Sequence, residues 1–161
     1  DEKTVEKNDR FPPAEAAGYS VMWDRLPLSP EQFKMRAEAM ARGAEIPGGE
    51  ACEGTPGEKI SCRAGRSSFW INWRGDMTPC GMMNSPAFSV RELGFDEAWK
   101  RTKEATAEIR MPPECASCGM KHVCRVCAAM CVTETGRFDR RPEYICEMTR
   151  ETVRLTIQEK D

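Results

Sequence analysis

The chain has no long hydrophobic run. No stretch approaches the roughly 20 apolar residues that cross a bilayer, and no apolar leader opens the sequence, which together argue against a membrane or secreted protein. An excess of either charge is missing too. Lys and Arg total 24 against 26 for Asp and Glu, a net charge of -2, so no basic field for nucleic acid is expected. Histidine occurs once, at His122. No repeat, phosphate-cradling glycine loop, Ser-His-Asp set or paired catalytic carboxylate emerges, which removes the common hydrolytic and nucleotide-binding chemistries. At 161 residues the chain suits one domain with a modest core and is too short for a complete large enzyme.

Cysteine, by contrast, is abundant. Nine are present, five of them at positions 115, 118, 124, 127 and 131. A soft, oxidisable set this dense is a liability unless something holds it. A structural zinc site sets two Cys-x-x-Cys knuckles about a dozen or more residues apart, whereas only five residues separate Cys118 from Cys124. Disulfides suit small secreted domains, but the cysteine count here is odd and the run too crowded for easy neighbour pairing. Iron–sulfur clusters favour close thiolates followed by a remote one, and Cys146 supplies the remote one. Iron–sulfur binding is thus the leading expectation, in a reducing cytoplasm; a structural zinc-binding, partner-binding module is the alternative.

The expected fold class is small α+β, a short β-hairpin plus several helices and cysteine-rich loops. Residues 1–10 are a charged start that reads as a cut inside a longer protein. Two helices follow. Pro12 and Pro13 open the first, with Tyr19, Met22, Trp23 and Leu26 as its apolar stripe. Ser29, Pro30 and Gln32 begin the second as a capping box, and Gly43 lies just past its end. Its expected buried face is Phe33, Ala37, Met40 and Ala41. A Gly- and Pro-rich connection holds Cys52, incidental or an extra ligand. Phe69, Ile71 and Trp73 alternate up to Gly75-Asp76, a hairpin pattern that brings Cys62 and Cys80 to one end. Trp70, Trp73 and Trp99 are expected as core residues. An amphipathic helix over 95–109 leads into the cysteine run, and a last helix from Pro142 turns Ile145, Met148, Thr152 and Leu155 inward. His122 is expected at the surface.

The ordered series Cys62, Gly75, Cys80, Cys115-x-x-Cys118, Cys124, a further cysteine and Cys146 resembles the SPASM domain. This is the C-terminal auxiliary-cluster module of many radical S-adenosylmethionine (SAM) enzymes that modify peptides or proteins. The resemblance implies a fold organised around two [4Fe–4S] clusters. It implies Cys115, Cys118, Cys124 and Cys146 for the second, and Cys62 and Cys80 with a cysteine after Cys124 for the first. The family leaves three residues between the last two cysteines of its run; here Cys127 follows Cys124 after two and Cys131 after six. Cys127, Cys131 and Cys52 therefore stay open as completing ligands. The Cys-x-x-x-Cys-x-x-Cys signature of the SAM-cleaving cluster is absent from the sequence. By resemblance, residues 11–60 join a radical SAM barrel outside this chain to the SPASM domain at 61–161. SAM enters only through that barrel. A peptide or protein substrate and a flavodoxin or ferredoxin electron donor are the implied partners, with neither nucleic acid nor membrane among them.

Overall fold

The computed structural model describes residues 10–44, 59–60 and 62–159. The chain divides into two compact units: Asp1–Gly49 with Gly119–Arg125 and Glu143–Asp161, and Glu50–Cys118 with Val126–Pro142. Among the described residues the fold is small α+β, with six α-helices and a three-stranded antiparallel sheet. No described helix is long and apolar enough to cross a membrane.

The first unit is helical. Helix α1 (Pro13–Arg25) starts on proline, whose fixed φ suits the first turn. Helix α2 (Pro30–Ala41) carries the expected capping box: Gln32 N–H donates to Ser29 Oγ at 3.2 Å, and Ser29 N–H to Gln32 Oε1 at 2.8 Å. Both pack on the last helix of the chain, α6 (Glu143–Gln158). The contact surface differs from the expected stripe. Ala17 and Val21 are buried on α1, whereas Tyr19, Met22, Trp23 and Leu26 are exposed, Trp23 by 66%. Small side chains let the helix axes approach, so they win the interface over bulkier apolar neighbours. On α2, Phe33, Ala37 and Met40 are buried as expected, but Ala39 replaces Ala41. On α6, Ile145 is buried with Thr149 and Thr156; Met148, Thr152 and Leu155 are half-buried. Each of these three threonines donates its hydroxyl to the carbonyl four residues back, which satisfies the polar group inside the helix.

The second unit holds the sheet. Strand β1 (Trp70–Ile71) pairs antiparallel with β2 (Asp76–Thr78), which pairs in turn with β3 (Phe88–Ser89). The hairpin is as expected, and the third strand is an addition. Gly75 at the turn has φ +88°, and a Cβ there would stand 2.9 Å from Arg91 Nε, so a side chain is doubly disfavoured. The hairpin's buried residues are Met77, Thr78 and Pro79 rather than the aromatics. Trp70 is exposed and Trp73 is 86% exposed, which corrects their expected place in the core; Trp99 is half-buried and stacks at a tilt on Phe69. The short helix α3 (Val90–Leu93) leads to α4 (Phe95–Ala107), which packs its Ala98, Thr102 and Thr106 side inward. Helix α5 (Ala128–Thr135) stops at Gly136, whose φ of +74° makes the left-handed cap.

Candidate metal centre

The eight described cysteines are thiols rather than disulfides. Cys52 lies outside the described residues. The loop after Cys62 meets the hairpin beside Cys80. Gly65 N–H, three residues beyond Cys62, donates to Pro79 O at 3.2 Å, which ties the loop after Cys62 to the residue before Cys80. The loop approaches closely elsewhere too: a Cβ on Gly65 would collide with the side chain of Thr106. Cys80 begins a turn in which its carbonyl accepts Met83 N–H at 3.1 Å and the Thr78 hydroxyl at 3.1 Å. Cys62 itself is exposed.

One apolar cluster in this unit gathers three of the thiols. Cys131, fully buried, sits with Met83, Ile109, Met111, Ala128 and Ala129, and half-buried Cys80 and Cys127 pack against the same group. Cys127 occupies the N-cap position of α5 and Cys131 its second half-turn, with Cys131 N–H donating to Cys127 O at 3.0 Å. Two of the three cysteines left open as completing ligands, Cys127 and Cys131, therefore reach the neighbourhood of Cys80. Also in this unit, Cys115 ends a 3₁₀ turn, Pro113–Cys115, and Cys118 N–H donates to Cys115 O at 3.4 Å. The prolines at 112 and 113 set that turn, because each lacks the N–H that would extend α4.

The other unit holds Cys124 and Cys146. Cys124 N–H closes a turn onto Met120 O at 2.9 Å, and Cys146 lies in the first turn of α6. Thr149, three residues further along α6, shares its face. The Thr149 hydroxyl stands 3.6 Å from Cys124 Sγ, so Cys124 and the Cys146 face of α6 meet. Charge surrounds this region. Arg125 reaches Asp24 at 3.6 Å, and Arg36 binds the same carboxylate at 2.6 Å with both groups mostly buried. Arg36 Nε is buried without a hydrogen-bond partner among the described residues. His122 is exposed, as expected.

Cysteine sulfurs in apolar surroundings, with a hydroxyl at one of them, suit iron and sulfide as a donor set. Among the described residues no three His, Cys, Asp or Glu side chains are gathered as a site for one metal ion. Sequence reasoning did not anticipate Thr149, the Arg36–Asp24–Arg125 chain or the methionines around Cys131. The signal for Thr149 was its place three residues beyond a candidate ligand on a helix.

The chain is 29% identical over 127 residues to the AdoMet-dependent heme synthase of Oleidesulfovibrio alaskensis (strain ATCC BAA-1058 / DSM 17464 / G20), a match that covers 73% of this chain and 27% of that protein. The chain thus spans about a quarter of that relative's length. No solved structure matches. Residues 62–128 match the family model of SPASM, described as an iron-sulfur cluster-binding domain, a stretch that includes Cys62, Cys80, Cys115, Cys118, Cys124 and Cys127, so the match falls on the same cysteines whose spacing carries the resemblance to a SPASM domain.

Proposed function

We propose that this chain is the auxiliary-cluster part of a radical SAM enzyme, holding two [4Fe–4S] clusters beside a barrel that cleaves SAM. The convergence of Cys80, Cys127 and Cys131 on one apolar core, within and just beyond the matched stretch, is the observation that carries this reading. Clusters of this kind supply one-electron transfer. The chain's own residues do the rest. Cys62, Cys80, Cys127 and Cys131 serve one cluster, with Cys52 as the spare, and Cys115, Cys118, Cys124 and Cys146 serve the other, as the family resemblance assigns them. Met83, Ile109 and Met111 shield Cys80, Cys127 and Cys131 from water, and the turn at Cys80 holds its backbone in place.

The enzyme so completed would modify a peptide or protein, draw electrons from a flavodoxin or ferredoxin, and work in the cytoplasm, with residues 11–60 leading from the barrel. A second substrate class is favoured by one observation: the relative matched over 73% of this chain is a haem synthase by name, which points to a tetrapyrrole instead of a peptide. Quenching of the exposed Trp23, Trp70 and Trp73 by an added porphyrin, against no response to peptides, would favour the tetrapyrrole.

Anaerobic quantification of iron, sulfide and zinc, before and after reconstitution, tests the central reading. About eight irons and eight sulfides per chain are expected for two four-iron clusters. Stoichiometric zinc without sulfide, persisting through reconstitution, would replace it with a structural zinc module.

A further inference from the structure

The hydroxyl of Thr149 has one proton and two acceptors within reach. Ile145 O stands 2.8 Å away and Cys124 Sγ 3.6 Å away, the second within the range of a hydrogen bond to sulfur. Ile145 O does not depend on this hydroxyl, because the α-helix also offers it the Thr149 backbone N–H. Cys124 Sγ gains more. As a thiol it can donate its own proton, but as a metal-bound thiolate it can only accept, and a hydrogen bond to a charged acceptor is the stronger kind. Burial adds to the effect: Thr149 is 8% exposed and Cys124 half-buried, so water competes weakly for the sulfur. The face is shared with Cys146, three residues earlier on α6.

We propose that Thr149 is a positioning residue that donates its hydroxyl to the Cys124 thiolate and thereby raises the reduction potential of the cluster Cys124 holds. The inference rests on the reading of Cys124 as a cluster ligand. Reduction adds one negative charge, part of which falls on the thiolates, and a donor aimed at the sulfur stabilises the reduced form more than the oxidised one. Thr149→Val removes the donor and keeps the shape; Thr149→Ser keeps the donor and loses a methyl group. The second substitution separates hydrogen bonding from packing.

The test is a potentiometric titration followed by electron paramagnetic resonance on the reconstituted chain, with iron and sulfide measured on the same samples. Thr149→Val is expected to keep wild-type iron and lower the reduced-to-oxidised ratio at a fixed potential roughly tenfold, which for one electron is about 59 mV. Thr149→Ser is expected to match the wild type. An unchanged midpoint in Thr149→Val with full iron overturns the proposal and leaves the cluster reading intact. Loss of one cluster in Thr149→Val and Thr149→Ala with retention in Thr149→Ser supports it, since only the hydroxyl separates these variants. Loss in all three assigns Thr149 to packing and overturns it. A wild-type chain that retains no iron and sulfide overturns the cluster reading and the proposal together.

Discussion

The two thiol neighbourhoods differ in what touches the sulfur. Cys80, Cys127 and Cys131 lie against methionine, isoleucine and alanine side chains. Cys124 meets the Thr149 hydroxyl and is followed by Arg125, whose guanidinium reaches Asp24. The sulfur atoms thus stand in different surroundings, apolar at one set and beside a hydroxyl at Cys124. Apolar burial penalises added negative charge, while a hydroxyl donor stabilises it. On the proposed reading of two clusters, the difference would set them at different potentials without changing their ligands, and the Cys124 cluster should reduce first.

Replacing ligands breaks the comparison most severely. Cys80→Ala and Cys124→Ala should each lower iron from about eight to about four per chain, as measured by metal analysis. Cys80→Ala should remove the lower-potential step of a reductive titration, and Cys124→Ala the higher one. If either single replacement emptied both sites, the two neighbourhoods would be one cooperative unit and their separate potentials would have no meaning.

Backbone and charge substitutions sharpen the comparison at a smaller scale. Gly65→Ala would force a side chain onto a residue at φ +64° and into Thr106, displacing the loop that joins Cys62 to Pro79. A cost of about 3 kcal/mol in urea unfolding is expected, together with iron loss confined to the apolar set. Asp24→Asn strips the partner from Arg36, whose side chain is only 14% exposed. About 2 kcal/mol should be lost there, and the Cys124 step should shift while the other holds. An equal shift of both steps would show that Asp24 acts on global stability instead of on Cys124.

Local chemistry was the most legible part of this fold. The Ser29–Gln32 capping box and the Gly75 turn each depend on a few adjacent residues, and each is where the sequence puts it. The small α+β class followed from the same signals. Burial was less legible. Helical periodicity gives weight to bulk, so it selected Tyr19, Met22, Trp23 and Leu26, whereas the α1 interface needs small residues and buries Ala17 and Val21. Several buried threonines were overlooked for a related reason. On α4 and α6, Thr106, Thr149 and Thr156 are buried because each hydroxyl bonds back to its own helix, a disguise that hydropathy does not register. At the candidate site the cysteine spacing carried the chemistry, and the hairpin carried the approach of the Cys62 loop to Cys80. The sulfur environments were out of reach, because Thr149 and Cys124 are 25 residues apart and meet only through the packing of α6.

The smallest effect concerns two exposed carboxylates, and it marks the background against which the larger ones are read. In the helical unit, Glu31 is held below the ordinary carboxylate value by its own backbone N–H and by the Ser29 hydroxyl. In the sheet-bearing unit, Asp139 is held low by hydrogen bonds from Arg137 and then by its charge. A depressed folded value means that each contribution is complete at neutral pH and is lost only as pH falls below the usual carboxylate range. Urea midpoints of the wild type and Asp139→Asn should therefore differ slightly at pH 7 and converge as pH falls below the ordinary carboxylate range. Salt should narrow the Asp139 difference, since an exposed ion pair is screened, and should leave a Glu31→Gln difference less changed, since its first cause is a local backbone hydrogen bond. Equal salt sensitivity at the two positions would mean that charge, rather than hydrogen bonding, holds both carboxylates low. Surface electrostatics would then have to be subtracted before any difference in potential between the two cysteine sets is assigned to Thr149.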